Sequence, residues 1–234
     1  PETNDKIGFG EWMMRPKASV LDPTYTFTVP KNQTAAGTAD ITSHILEVYF
    51  AREEAYLQDR MAEAMLKTCI HFGPIALEHP EDYEARANLM WTSSLAINEL
   101  LAYGKGTAWS VHGMEHQLSA VYDITHGVGL AILTPAWMRH VLSEKTVHKF
   151  VEYGVNVFGI SSELPDMEIA QKAIEATEDF FFQKLGLPST LHEVGIGEEH
   201  LEAMAKKAAT PGLRNRAFVP LDDQDVLAIY RACL

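Results

Sequence analysis

The chain has only two cysteines among its 234 residues, Cys69 and Cys233. Neither belongs to a CxxC or similar spacing, which argues against a disulfide framework and against a cysteine-based zinc site. No apolar run approaches the ~20 residues that a transmembrane helix needs, and no basic-then-apolar signal peptide opens the chain. These absences predict a cytoplasmic protein that does not span a membrane.

Basic residues are also scarce. The chain carries 19 Lys and Arg against 32 Asp and Glu, which gives a formal net charge of −13 and a pI of about 5.2. Proteins that bind nucleic acid or an anionic membrane need clustered basic side chains to neutralise phosphates. The composition therefore argues against both of these partners.

The chain changes character along its length. Residues 1–33 are rich in Pro and Thr, and their stretches 6–20 and 21–30 (LDPTYTFTVP) are typical of strands, turns and loops. From Thr38 onward the apolar residues follow helical periodicity. Helices are predicted at 38–51, 54–76, 83–103, 108–121, 126–142, 144–158, 166–185, 197–208 and 222–233. The predicted fold class is mainly α, a helical bundle behind a short extended lead-in.

Several residues mark the predicted helix ends. Glycine and proline interrupt helices, and an aspartate often caps a helix start. The predicted signals are Gly73-Pro74, His79-Pro80, Gly104, Gly106, Gly186 with Pro188, and the N-cap Asp222.

Histidines and one aspartate form the most informative pattern. Asp40 and His44 in GTADITSHILEVYF lie four residues apart, as do His112 and His116 in WSVHGMEHQLSAVYD. This spacing puts both members of a pair on one helix face. Residues 123–127 are predicted to interrupt the helix, so we expect His126 near the start of the next helix. Side chains from several helices of a bundle can converge on one metal ion in this way.

The donor types restrict the metal. One carboxylate with several imidazoles suits Zn²⁺, Fe²⁺, Ni²⁺ or Co²⁺, whereas Ca²⁺ and Mg²⁺ prefer more carboxylates. Spacing alone leaves open which of His112 and His116 is a ligand. Glu47 and Glu115 could orient imidazoles or simply lie on solvated helix faces. The other six histidines have no partner at ligand spacing.

These segments resemble the iron-containing (group III) alcohol dehydrogenases. GTADITSHILEVYF is similar to the family's GxxDxxxHxxE segment, and residues 112–142 resemble its HxxxHxLxxxxxxxHG signature. LDPTYTFTVP resembles the segment that joins the family's two domains. The likeness is greatest to the NAD(P)H-dependent butanol dehydrogenase and aldehyde reductase branch.

The resemblance implies roles for particular residues. It implies that Asp40, His44, His112 and His126 hold one divalent metal, Fe²⁺ or Zn²⁺ or else Ni²⁺ or Co²⁺. It implies a proton-handling role for His116 beside the nicotinamide, and cofactor contacts for Lys6, Thr28 and His116. The implied reaction is reversible hydride transfer between NAD(P)H and a small aldehyde, with the metal polarising the substrate oxygen.

The resemblance also implies a domain organisation. Residues 1–33 would be the tail of a nucleotide-binding domain and the interdomain segment, and residues 34–234 the all-helical metal-binding domain. The family's GGGS dinucleotide loop does not occur, so we expect a fragment whose α/β nucleotide-binding domain is missing and whose full-length form is a homodimer. The alternatives are a metal-binding helical domain without activity on its own, and a helical metallohydrolase, although the His-Asp dipeptide of the HD type does not occur.

Overall fold

The computed structural model describes residues 5, 6, 8 and 11–234, and within that part of the chain the fold is a bundle of ten α-helices without strands. The helices are α1 (Lys31–Tyr49), α2 (Tyr56–Glu78), α3 (Tyr83–Ile97), α4 (Ser110–Tyr122), α5 (His126–Val141), α6 (Val147–Phe158), α7 (Asp166–Glu178), α8 (Leu201–Ala208), α9 (Pro211–Arg216) and α10 (Asp223–Ala232). Short 3-10 segments lie at Trp12–Met14, Pro23–Thr26, Leu100–Ala102 and His192–Val194, and a π-helical turn at Asp179–Lys184 follows α7.

The lead-in contains the predicted turns and loops but not the predicted strands. Its described residues form loops and two 3-10 turns, the second of which Asp22 caps by accepting a hydrogen bond from the Thr24 N–H. A strand is stable only when a second strand supplies its hydrogen-bond partners. No other described segment offers such an edge, so the alternating Tyr, Phe and Val of residues 21–30 do not form a ladder.

Several helix boundaries were predicted correctly. Asp222 caps α10 in a capping box with Asp225, and Gly186 adopts a positive φ of 66° after the π-helical turn. The break before His126 is also present, because Asp123 ends α4 in a left-handed conformation and α5 begins at His126 itself. The predicted helix over 83–103 ends sooner, at Ile97, since Glu99 is left-handed.

The break predicted at Gly73-Pro74 is wrong. Helix α2 continues through both residues to Glu78 and ends at His79, the second predicted signal. A Cβ atom on Gly73 would lie 2.8 Å from the Thr38 methyl group. The glycine therefore allows α1 and α2 to pack closely, and this burial outweighs the low helix propensity of Gly and Pro.

Helix α1 lies at the centre of the bundle and packs against α2, α3, α4 and α5. Its buried residues include Ala39, Ile45, Leu46 and Tyr49, each at most 1% exposed. Buried residues occur on most faces of α1, as expected for a core helix rather than a surface helix. No helix in the described part of the chain has the length and apolar character to cross a membrane.

Helices α1 and α5 approach closely at Gly127. A Cβ atom on Gly127 would lie 1.9 Å from the carbonyl oxygen of Ala36, and backbone cannot yield as a flexible side chain can. Gly127 follows His126 directly, so this contact sets how deeply the start of α5 sits against α1. The glycine therefore fixes the distance between the His126 and Asp40 backbones.

We predict that Gly127→Ala destabilises the protein. The added methyl group forces α5 away from α1, and overpacking of this kind typically costs about 1–3 kcal/mol. The measurement is the free energy of unfolding in urea. The matched control is Gly37→Ala on α1, where a Cβ meets nothing within 4 Å. That change should stabilise the chain by roughly 0.5–1 kcal/mol, and equal effects of the two substitutions would contradict the close-contact explanation.

Candidate metal centre

Three helices bring one carboxylate and three imidazoles together. Asp40 and His44 come from consecutive turns of α1, His112 from the first turn of α4 and His126 from the first residue of α5. The Asp40 Oδ1 atom lies 3.4 Å from His44 Nε2, 3.6 Å from His112 Nε2 and 3.7 Å from His126 Nε2. The structure thus places a single carboxylate oxygen next to the same nitrogen of all three rings.

The separations from Asp40 match those of ligands around one small ion, and the ligand atoms of Asp40, His44 and His112 all lie within 4.8 Å of one another. Bonds of ~2.0–2.1 Å in tetrahedral geometry put neighbouring ligand atoms roughly 3.3 Å apart. The contacts are too long for good hydrogen bonds, and Asp40 Oδ1 and His112 Nε2 are buried without a hydrogen-bond partner among the described residues. Buried polar atoms without partners are costly, so the donor set fits a divalent cation.

Glu47 orients one of the imidazoles. Its Oε1 atom lies 2.9 Å from His112 Nδ1 and accepts a hydrogen bond of 2.7 Å from the His112 backbone N–H. Trp109, the residue before α4, provides no side-chain cap, so Glu47 serves as the cap from another helix. With the proton on Nδ1, the lone pair of His112 Nε2 faces Asp40.

Glu115 orients the imidazole of His126. Its side chain is fully buried and its Oε2 atom forms a short contact with His126 Nδ1, while Ser119 donates to Oε1. A Cβ on Gly129 would lie 2.8 Å from the Glu115 side chain, so the glycine of α5 leaves the room that Glu115 occupies. Glu47 and Glu115 are therefore buried partners of imidazoles, and the alternative of solvated helix faces is wrong.

The charges of the site influence one another. Burial opposes ionisation of Asp40, but His112 and the neighbouring imidazoles hold its pKa below the usual value. Burial and the charge of His112 lower the pKa of His44 to about 4. Burial also disfavours protonated His112, yet Glu47 and Asp40 together raise its pKa to about 9. Without a metal, His112 therefore holds the proton that balances the carboxylates.

A cleft of about 640 Å³ opens over these four residues. His116 lines it one turn beyond His112, with its ring centroid 5.6 Å from that of His126. Burial and the Lys6 ammonium lower the pKa of His116, so the neutral imidazole predominates at neutral pH. The geometry separates His112, whose Nε2 faces Asp40, from His116, which borders the cleft beside His126.

The other predicted residues lie in different places. The Lys6 Nζ atom lies 3.3 Å from Glu115 Oε2 and 3.1 Å from His126 Nδ1, so Lys6 reaches the site from the lead-in. Thr28 is exposed in a turn before α1 and is not among the residues that line the cleft. Trp109 lines the cleft, whereas Met114 and Trp137 are buried core residues.

Sequence reasoning missed some residues of the cleft. Ile97, Thr210 and Leu213 line it from α3 and from the start of α9, a helix that the periodicity did not predict. The helix α9 has six residues with a threonine cap at Thr210 and Pro211 at its first position. This Thr-Pro pair is a helix-start signal, and it could have identified the element.

Comparison with known proteins agrees with this architecture. The family model "Fe-containing alcohol dehydrogenase family, C-terminal" matches residues 34–234. NADH-dependent butanol dehydrogenase B of Clostridium acetobutylicum is 62% identical over 98% of the chain, and the NADPH-dependent aldehyde reductase YqhD of Escherichia coli is 37% identical over 90%. The crystal structure of an NADH-dependent butanol dehydrogenase A from Thermotoga maritima superposes with a TM-score of 0.91 at 36% identity over 99% of the chain.

The matches cover only part of each relative. The chain spans 60% of the Clostridium protein, 54% of the Escherichia coli reductase and 60% of the Thermotoga structure. The family model itself covers most of the chain, and the all-helical fold is the one that its solved relatives share over this region. The chain therefore belongs to the iron-containing alcohol dehydrogenase family.

Proposed function

We propose that this chain is the metal-binding part of an alcohol dehydrogenase or aldehyde reductase that interconverts a small primary alcohol and its aldehyde with NAD(P)H. One observation carries the proposal. A single oxygen of Asp40 lies 3.4 to 3.7 Å from the Nε2 atoms of His44, His112 and His126, at the floor of a cleft large enough for a small substrate. The names of the butanol dehydrogenase relatives support the substrate class.

We assign the metal to Asp40, His44, His112 and His126, and Fe²⁺ or Zn²⁺ fits this donor set. When bound, the metal acts as a Lewis acid toward the substrate oxygen, and the nicotinamide supplies the hydride chemistry. Glu47 and Glu115 keep the Nε2 lone pairs of His112 and His126 directed at Asp40. Substitution of Glu47 or Glu115 would leave all four proposed ligands in place but less firmly oriented. Hydrogen-bond partners of metal ligands typically contribute ~10–100-fold to metal affinity.

We assign proton transfer to His116. Its imidazole borders the cleft, is half-buried, and has a lowered pKa that keeps it neutral and able to accept a proton at neutral pH. Lys6 lies beside it, so its ammonium opposes a lasting positive charge on His116. We assign Lys6 and Thr28 to the dinucleotide side of the site, with residues 1–33 linking to a nucleotide-binding domain and residues 34–234 forming the metal-binding domain.

The ligand assignment predicts about one divalent metal per chain. Asp40→Ala and His126→Ala should each lose it, because a site with three remaining donors binds far more weakly. The measurement is metal content after dialysis against a weak chelator, by inductively coupled plasma mass spectrometry. The matched control is His140→Ala, which removes an exposed histidine that pairs with Asp225 away from the site. Full metal retention in both site variants would refute the assignment.

Metal binding should release protons near neutral pH. The pKa of His112 is raised to about 9 in the metal-free chain, so this ring is protonated at pH 7.5 and must lose its proton to become a ligand. His44 has a pKa of about 4 and is already neutral. Calorimetric titration with Zn²⁺ in buffers of different ionisation enthalpy should therefore give more protons released per metal at pH 7.5 than at pH 9. An equal release at both pH values would contradict this.

The role of His116 predicts a separation of binding from turnover. His116→Ala should retain the metal but lower kcat by roughly 10²–10⁴-fold, the usual contribution of a positioned acid or base. Turnover is measured as butanal-dependent NADH oxidation by this chain joined to the unmatched portion of the Clostridium relative. His200→Ala, a change of a histidine outside the cleft, is the control. Unchanged kcat in His116→Ala would reduce this residue to a packing role.

A further inference from the structure

Two cavities share a wall formed by Ile97 and Trp109. The first is the cleft of about 640 Å³ that contains the four proposed ligands. The second has a volume of about 270 Å³, and Ile97 and Trp109 are among its lining residues too. The two spaces therefore adjoin at these two side chains.

The second cavity is suited to hydrocarbon. Its lining includes Val48, Ala96, Ala102 and Tyr103, which present mainly carbon atoms. Among the described residues of the lining, Glu99 is the charged one, and its carboxylate forms an ion pair of 2.7 Å with Arg15. An unbranched alkyl chain could enter such a space without leaving a charged group unpaired.

The two wall residues differ in how firmly they are held. Trp109 is left-handed at φ 51° and its ring lies edge-on to those of His44 and His112, both with centroids 5.3 Å away. Its position is therefore tied to the proposed ligands. Ile97 is the last residue of α3 and is 61% exposed. It can change size without disturbing the core, so it is the part of the wall that can be varied.

We propose that Ile97 and Trp109 set the chain length of the alcohol or aldehyde that the cleft accepts. The substrate oxygen points to Asp40 and the three imidazoles, and the alkyl chain extends until it meets this wall. The cavity behind the wall is the space that a longer chain would occupy if the wall were shortened. The inference rests on the proposed function, because it requires a substrate oxygen at the metal site.

The test uses the 234-residue chain loaded with Co²⁺, whose visible absorption responds to ligands at the metal. Straight-chain primary alcohols from ethanol to decanol are titrated, and each methylene that becomes buried should tighten binding about fourfold. In the unsubstituted chain this gain should stop at the length where the alkyl chain meets Ile97. In Ile97→Ala it should continue for about two further methylenes, roughly 15-fold in affinity.

Two further variants sharpen the result. Ile97→Phe enlarges the wall and should end the gain at a shorter alcohol. Leu57→Ala removes an equally exposed aliphatic side chain, 66% exposed on α2 and outside both cavities, and should leave the length profile unchanged. Co²⁺ content is measured for every variant, so that lost metal is not mistaken for lost alcohol binding.

Each outcome decides one of the two claims. The break point is the alcohol length at which the gain in affinity per methylene stops. A break point at a longer alcohol in Ile97→Ala and at a shorter one in Ile97→Phe supports the proposal that this wall limits chain length. An identical break point in all variants, with a clear response to butanol, overturns the wall but leaves the proposed function standing. Absence of a spectral response to every alcohol overturns the proposed function, and this inference with it.

Discussion

The hydrogen bonds between Glu47 and His112 connect the two parts of the site. Glu47 lies on the same helix as Asp40 and His44, and it accepts bonds from both the backbone and the ring of His112 on α4. Through this one carboxylate, α1 determines where α4 begins and which ring nitrogen of His112 faces the cleft. The position of His126 then follows from α5, which packs on both α1 and α4. The geometry of the four proposed ligands therefore depends on a buried contact that is not itself at the metal.

The sequence predicted much of this site because the relevant signals are local. The spacing of Asp40 and His44, and the chain break before His126, concern residues within a few positions of each other. The helical periodicity of α1 and α4 is equally local. The family resemblance separated His112 from His116, which spacing could not do. In the structure His112 Nε2 faces Asp40 and His116 borders the cleft, while the roles of the two residues stay predictions.

The remaining features depend on contacts between residues distant in sequence. Whether Glu47 and Glu115 are buried partners or solvated residues follows from packing between helices, so local patterns left both possibilities open. The same holds for Gly73-Pro74, which looks like a helix end until the close approach of Thr38 is known. The predicted strands failed for a related reason, because strand formation requires a partner that a single segment does not reveal.

The carboxyl end of α1 is held by a buried ionic group. Lys105 donates a 3.0 Å hydrogen bond to the Val48 carbonyl and forms an ion pair with Asp59, which also pairs with Lys149 at 2.8 Å. A cation at the carboxyl end of a helix is favourable for its dipole and its free carbonyls. Removal of one residue of this ionic group would leave a buried charge unpaired, which is destabilising. The group therefore holds Lys105 in place, and with it the loop that leads into Trp109 and α4. The charges thus fix the carboxyl end of α1, while the middle of the same helix carries the proposed metal ligands Asp40 and His44.

One contact has a consequence for the order in which the chain assembles. The Tyr230 hydroxyl on α10 donates a buried hydrogen bond of 2.7 Å to the Met114 carbonyl on α4, across 116 positions of sequence. During synthesis Asp40 and His44 emerge first, and the helix that carries His112 and His116 emerges long before Tyr230. Closing so long a loop is entropically costly until other contacts have formed. Because Tyr230 of α10 holds α4 through this bond, the geometry of the site depends on a residue that is synthesised long after its first ligands.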